Sequence, residues 1–180
     1  MQKKSFAFNI VGLILAAVFI FAACDLNDLK YSGPALVEFS HLSSEPNATW
    51  VSIGSIWATT LSGPYEHAPL QVSLISEQHS KDIEVGYVIA DHVFYDRDAN
   101  KTTTQQPDHD NWDFLETTAV EGLDYQMRDG GIITIPAYNS FGSLHIELFP
   151  TSERIIYIVL TERDVQPSKN FKIFRLRIRP

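Results

Sequence analysis

Residues 171–179 read FKIFRLRIR, and within them Phe174, Leu176 and Ile178 alternate with Arg175, Arg177 and Arg179. A period of two puts three apolar side chains on one face and three guanidinium groups on the other, as a strand with one face in the core requires. A helix would scatter the same residues around its circumference. The pattern recurs along the chain. LVEF (36–39), the stretch from Trp50 to Trp57, LQVSLI (70–75), GIITIP (131–136), SLHIELF (143–149) and RIIYIVL (154–160) all read as strands. In IEVGYVI (83–89), Ile83, Val85, Tyr87 and Ile89 fall on one face. Gly63-Pro64, Pro136 to Asn139 and Gly142 punctuate these runs as turn residues do. No stretch keeps a helical period. Eight or nine short strands predict an all-β, antiparallel β-sandwich of one domain over residues 35–180. A chain of that length buries roughly 68–70% of its unfolded surface, enough for a core without disulfides.

One segment breaks the pattern. Residues 91–116, DHVFYDRDANKTTTQQPDHDNWDFLE, are polar, acidic and longer than an ordinary connection. They are expected to form either a functional excursion or a mobile hairpin extension of the sandwich.

The N-terminus has its own grammar. Lys3 and Lys4 precede an apolar run from Phe6, and small residues lead to Cys24, the single cysteine of the chain. These are the parts of a secretory signal peptide. An uncleaved membrane helix is the alternative, but the run is at the lower edge of bilayer-spanning length and Asn9 interrupts it. Phe21-Ala22-Ala23-Cys24 resembles the lipobox of bacterial lipoproteins, in which the cysteine thiol is alkylated by a lipid and the signal is cut just before it. The resemblance implies an N-terminal signal helix over 1–23, lipidation at Cys24, a lipidated tether over 24–34 and attachment to the cell envelope. The expected location is the outer membrane of a Gram-negative bacterium. Removing 1–23 takes two of the 14 basic residues and none of the 22 acidic ones, which leaves 12 against 22 and a net charge of −10. Such a surface repels nucleic acid and anionic headgroups, so neither is an expected partner.

Thr118-Ala119-Val120-Glu121-Gly122-Leu123-Asp124-Tyr125 resembles the Thr-Ala-x-x-Gly-x-Asp-Tyr signature of Calx-beta domains, and the hairpin beginning at Gly131 and the strand RIIYIVL follow in that family's order. The resemblance implies an immunoglobulin-like sandwich of about seven to nine strands. It also implies a comparison with the family's calcium site, to which Glu38 and Asp124 correspond. The acid pair expected near the penultimate strand is replaced by Phe149-Pro150-Thr151-Ser152, and the chain ends in Arg179-Pro180. Calcium takes six to eight oxygen ligands, so the family's metal site is expected to be absent and no cofactor is implied. Asp124 and Tyr125 are expected to build a corner, Asp124 bonding local backbone and Tyr125 packing beneath the turn. Similar modules occur in surface lipoproteins associated with glycan uptake.

Candidate chemistry concentrates in 91–116. Asp96, Asp98 and Asn100 place oxygens at alternate positions like the opening of an EF-hand loop. Lys101 stands where the loop needs Gly and Pro107 where it needs Glu, which leaves at most a looser calcium contact or a solvated acidic loop. Asp91-His92 and Asp108-His109-Asp110 offer nitrogen and oxygen ligands without a zinc-type spacing. Trp112, flanked by Asn111 and Asp113, is the expected exposed tryptophan for stacking on a sugar ring. The alternative is a plug that anchors the loop on the sandwich. Trp50 and Trp57 lie seven apart, and at least one is expected in the core. No Gly-x-Ser-x-Gly elbow or histidine spacing marks a catalytic base, so no enzyme is expected.

These features lead to three expectations. The first is a non-enzymatic, membrane-anchored binding module of the cell envelope, with a glycan or an envelope protein as partner. The second is a calcium-stabilised adhesion module. The third is a hydrolase with its site in 91–116.

Overall fold

A computed structural model describes residues 33–40, 51–53, 56–68 and 70–180. The signal segment, Cys24, the tether and Trp50 lie outside the described residues. Residues Gly33–Pro180 form one compact unit, and none of the described residues is helical. The protein is all-β.

The described residues contain fifteen strands. They are β1 (Leu36–Phe39), β2 (Val51–Ile53), β3 (Ile56–Ser62), β4 (Gln71–Ile75), β5 (Ile83–Ala90), β6 (His92–Asp96), β7 (Lys101–Thr103), β8 (Trp112–Glu116), β9 (Tyr125–Met127), β10 (Ile132–Ile135), β11 (Phe141–Ser143), β12 (Ile146–Leu148), β13 (Arg154–Thr161), β14 (Gln166–Pro167) and β15 (Ile173–Arg179). One sheet has the order β11-β4-β1-β14 and a larger one the order β10-β5-β13-β15-β3-β2. β12 pairs with β9, and β7-β6-β8 form a separate three-stranded sheet.

The alternation read in 171–179 determines which face of β15 is inside. Phe174, Leu176 and Ile178 are buried in the main core, together with Ile156, Ile158 and Leu160 of β13 and Val85 and Tyr87 of β5. From the other sheet come Val37 and Phe39 of β1 and Val72 and Leu74 of β4. The rings of Phe39 and Phe174 meet across the two sheets at 5.1 Å. Two sheets that bury their inner faces against each other make a β-sandwich. On the outer side of β15, Arg177 and Arg179 pair with Glu153, just ahead of the neighbouring strand, at 3.5 and 2.8 Å.

The pairing departs from a wholly antiparallel sandwich at two places. β15 runs parallel to β3, from Ile173↔Ile56 to Arg179↔Ser62, and β1 runs parallel to β14. Alternation fixes the face of a strand but carries no information about its partner or direction, and these partners are distant in sequence. The strand count also exceeds eight or nine. Of SLHIELF only Ile146–Leu148 form a strand of their own, β12, which joins β9, while Ser143 ends β11 (Phe141–Ser143), which joins β4. The stretch from Trp50 to Trp57 contains two strands paired antiparallel, β2 and the start of β3. Trp57 is half-buried against the main core and stacks on Phe171 at 4.9 Å.

The rest of the excess is the 91–116 segment. It is neither loose nor structureless. β6 is the central strand of its sheet, paired from Phe94↔Thr103 to Asp96↔Lys101 on one side and from His92↔Glu116 to Asp96↔Trp112 on the other. Val93 and Leu115 pack with Ile56, Tyr157, Val159 and Ile173 in a second, smaller core. Tyr157 and Val159 alternate along β13 with the inner-face residues, so this core lies on the outer face of the larger sheet. The insertion is therefore a third layer, held by apolar burial.

Candidate functional site

The β6–β7 connection is built from the residues whose spacing suggested a cation loop. Arg97 to Asn100 form the turn, and Asn100 has φ 49°, a left-handed conformation that asparagine tolerates. The Ala99 amide donates to Asp96 Oδ1 at 2.9 Å, and the Tyr95 hydroxyl donates to Asn100 Oδ1 at 2.8 Å. His109 Nε2 lies 3.0 Å from Asp96 Oδ1, while His109 Nδ1 accepts from the Asn111 amide at 3.2 Å. The Ala99 amide, and then His109, hold the Asp96 carboxyl below the usual carboxylate range. Asp98 accepts from the Asn111 side-chain amide and lies 3.4 Å from His109 Nδ1. The oxygens of Asp96, Asp98 and Asn100 thus close the turn and tie the 104–111 segment onto it. Among the described residues no group of three or more His, Cys, Asp and Glu side chains gathers to hold a metal ion.

The tied-down segment encloses an open depression of about 450 Å³ lined by Gln106, Pro107, Asp108, His109, Asp110 and Trp112. Trp112 is half-buried, and its ring meets that of buried Phe94 edge-on at 5.0 Å. It is both an anchor and a wall of the depression. Its sequence neighbours are used otherwise. The Asn111 carbonyl accepts from the Arg97 amide at 2.9 Å, and Asp113 faces Arg97 at 3.7 Å. His92 is stacked on exposed Phe114 at 4.7 Å. Gln106 and Pro107 were not foreseen as lining residues. No motif marks them, and only the fold of the hairpin brings them beside Trp112.

The Thr118–Tyr125 stretch forms the expected corner. Buried Asp124 accepts from the Val120 amide at 3.0 Å, and its own amide donates back to the Val120 carbonyl at 2.8 Å. Gly122, with φ 80°, supplies the left-handed residue of the turn. The Arg154 guanidinium lies 3.4 Å from the Asp124 carboxylate, so a protein cation faces this acid. Tyr125 is buried in the main core, and burial pushes its phenol up. Glu38 lies half-buried on β1, in the smaller of the two sandwich sheets.

A second depression, about 370 Å³, is lined by Asp129, Ile132, Thr134, Pro136, Phe141, Gly142, Ser143 and His145. Its one carboxylate is spent on the fold. Asp129 accepts from the Tyr87 hydroxyl at 2.5 Å and from the Gly131 and His145 amides at 3.1 Å. Burial first, and then Asp129, raise the Tyr87 phenol far above its ordinary value of 10.0. An unfolded chain releases this proton near pH 10 while the folded chain retains it. The contribution is therefore complete below about pH 10 and is lost as pH rises further. The midpoint of thermal unfolding is expected to fall above pH 10, and less steeply in Tyr87→Phe, when melting is followed by circular dichroism across pH 8–11.

No protein-family model and no curated protein matches this sequence. Among solved structures, the chain is similar to a two-domain protein of unknown function from Bacteroides fragilis, at 8% identity and a TM-score of 0.38. The match covers 89% of this chain and 49% of that one, so the chain spans about half the length of its structural neighbour.

Proposed function

We propose that this protein is a lipid-anchored binding module of the cell envelope, Calx-beta-like in sequence, that takes a saccharide in the depression beside Trp112. The observation that carries this reading is the composition of that depression. An indole wall stands beside the amide of Gln106 and the carboxylates of Asp108 and Asp110. A pyranose ring offers an apolar face for an aromatic ring and a rim of hydroxyls for amides and carboxylates. Binding without catalysis is favoured because the imidazole in the depression has Nε2 facing Asp96 and Nδ1 accepting from Asn111. Both ring nitrogens are thus engaged within the hairpin, Nδ1 also lying 3.4 Å from Asp98.

Trp112→Ala is expected to weaken saccharide binding by about 30-fold, the loss of a central aromatic contact worth about 2 kcal/mol. Isothermal titration against the best ligand from a glycan array measures this. Equal affinity of the two proteins sinks the site assignment.

The anchor is supported by the sequence around Cys24, and lasting attachment needs more than one acyl chain. Cys24→Ser is expected to shift the protein from the membrane pellet to the soluble fraction on ultracentrifugation. An unchanged distribution overturns the lipid anchor.

A further inference from the structure

We infer that the saccharide taken by this depression is uncharged, and that Asp108 and Asp110 exclude anionic sugars. The inference rests on the saccharide reading above and narrows it to a ligand class. Residues 91–116 carry seven acidic side chains against two basic ones. The fold uses several of those acids. Asp96 and Asp98 flank His109, and Asp113 faces Arg97. Asp108 and Asp110 line the depression on either side of His109, and among the described residues neither has an ion pair or a side-chain hydrogen bond.

Neither cation of the segment compensates them. Arg97 is held toward Asp113. Lys101 is on β7, separated from the Trp112 strand by the whole width of β6. A uronate or sulfate stacked on Trp112 would therefore approach two carboxylates with no lysine or arginine among the lining residues. Each like-charge contact at about 4 Å costs roughly a factor of five even at the dielectric of water. Sugar hydroxyls meet the opposite condition, since a carboxylate offers about four acceptor sites and no competing donor. The same two residues attract a neutral ring and repel a charged one.

The test uses the full-length protein in detergent with EDTA, so that no divalent ion bridges carboxylates. Affinity electrophoresis compares neutral polymers (glucan, mannan, xylan, galactan) with polygalacturonate, alginate and chondroitin sulfate. Retention by at least one neutral polymer and by none of the anionic ones is expected. In Asp108→Lys/Asp110→Lys, retention by polygalacturonate is expected to rise on the order of tenfold. The milder Asp108→Asn, expected to rise in the same direction, is read alongside in case the double variant fails to fold.

The outcomes separate the two claims. Retention of wild-type protein by an anionic polymer, abolished by Trp112→Ala, overturns the charge inference and leaves the saccharide site standing. Neutral-only retention with no gain in either Asp variant also overturns it, because the exclusion then lies elsewhere. Retention by no polymer overturns the saccharide reading and this inference with it.

Discussion

Asp124→Ala is expected to lower the free energy of unfolding by about 2–3 kcal/mol, and by the same amount in EDTA and in millimolar calcium. The side chain is almost fully buried, and it accepts from the Val120 amide at 3.0 Å while facing Arg154 at 3.4 Å. A hydrogen bond to a charged acceptor contributes about 1.5–3 kcal/mol, and leaving a backbone donor without its partner adds to the loss. Arg154 is more than a third exposed, so its guanidinium regains water when the carboxylate goes. That keeps the cost below the roughly 3–5 kcal/mol of breaking a fully buried pair. Chemical denaturation of wild type and variant, with and without calcium, checks both claims. A ligand that binds only the folded state must raise stability. If calcium stabilises the wild type and not the variant, then Asp124 is a metal ligand and the calcium-stabilised adhesion reading replaces ours.

Phe174→Ala is expected to cost more, about 3–5 kcal/mol, through the cavity it leaves between the two sheets. Phe174 is 1% exposed, and its ring meets that of Phe39 on the facing sheet at 5.1 Å. Neighbouring side chains on hydrogen-bonded sheets cannot collapse far into such a space. Arg179→Ala on the same strand provides the comparison. Its ion pair with Glu153 is about half exposed on both sides, and such pairs contribute about 0–1 kcal/mol. Urea titration of the two variants therefore contrasts the faces of one strand. A Phe174→Ala cost as small as that of Arg179→Ala overturns the inner-face assignment.

The contrast also locates what the sequence made readable. Alternation in β15 marked its buried face because one side meets core and the other carries arginines, whereas β13 reads as a near-continuous apolar run because both its faces are covered. Partners and directions were not legible, as the parallel β3–β15 pair illustrates, because register between distant segments leaves no periodic trace. SLHIELF reads as one strand, yet only Ile146–Leu148 pair with β9 and Ser143 ends a strand that joins β4, since alternation carries no mark of where the chain leaves one sheet for another. The Asp124 corner was legible because its bonds are local, between residues four apart. In 91–116 the acids and Trp112 were visible as residue types, but their employment was not. Asp96, Asp98 and Asn111 are engaged in closing the hairpin, whereas Asp108 and Asp110 line the depression, and that division depends on contacts between positions 96–98 and 109–111. Cys24 was read from its immediate neighbours alone.

The small core under the insertion has a consequence for how this protein can change. Val93 and Leu115 fasten β6 and β8 to the sandwich, while the residues bordering the depression lie in the connection between β7 and β8 and at the first residue of β8. Apart from Trp112, which shares β8 with Leu115, the residues lining the depression lie outside the strands that fasten the segment. Under the proposed saccharide reading, substitutions at 104–108 and 110 would retune recognition while leaving Val93, Leu115 and the contacts of His109 in place. On that reading, one scaffold could diversify its specificity by drift in a short connection while its fastening stays fixed.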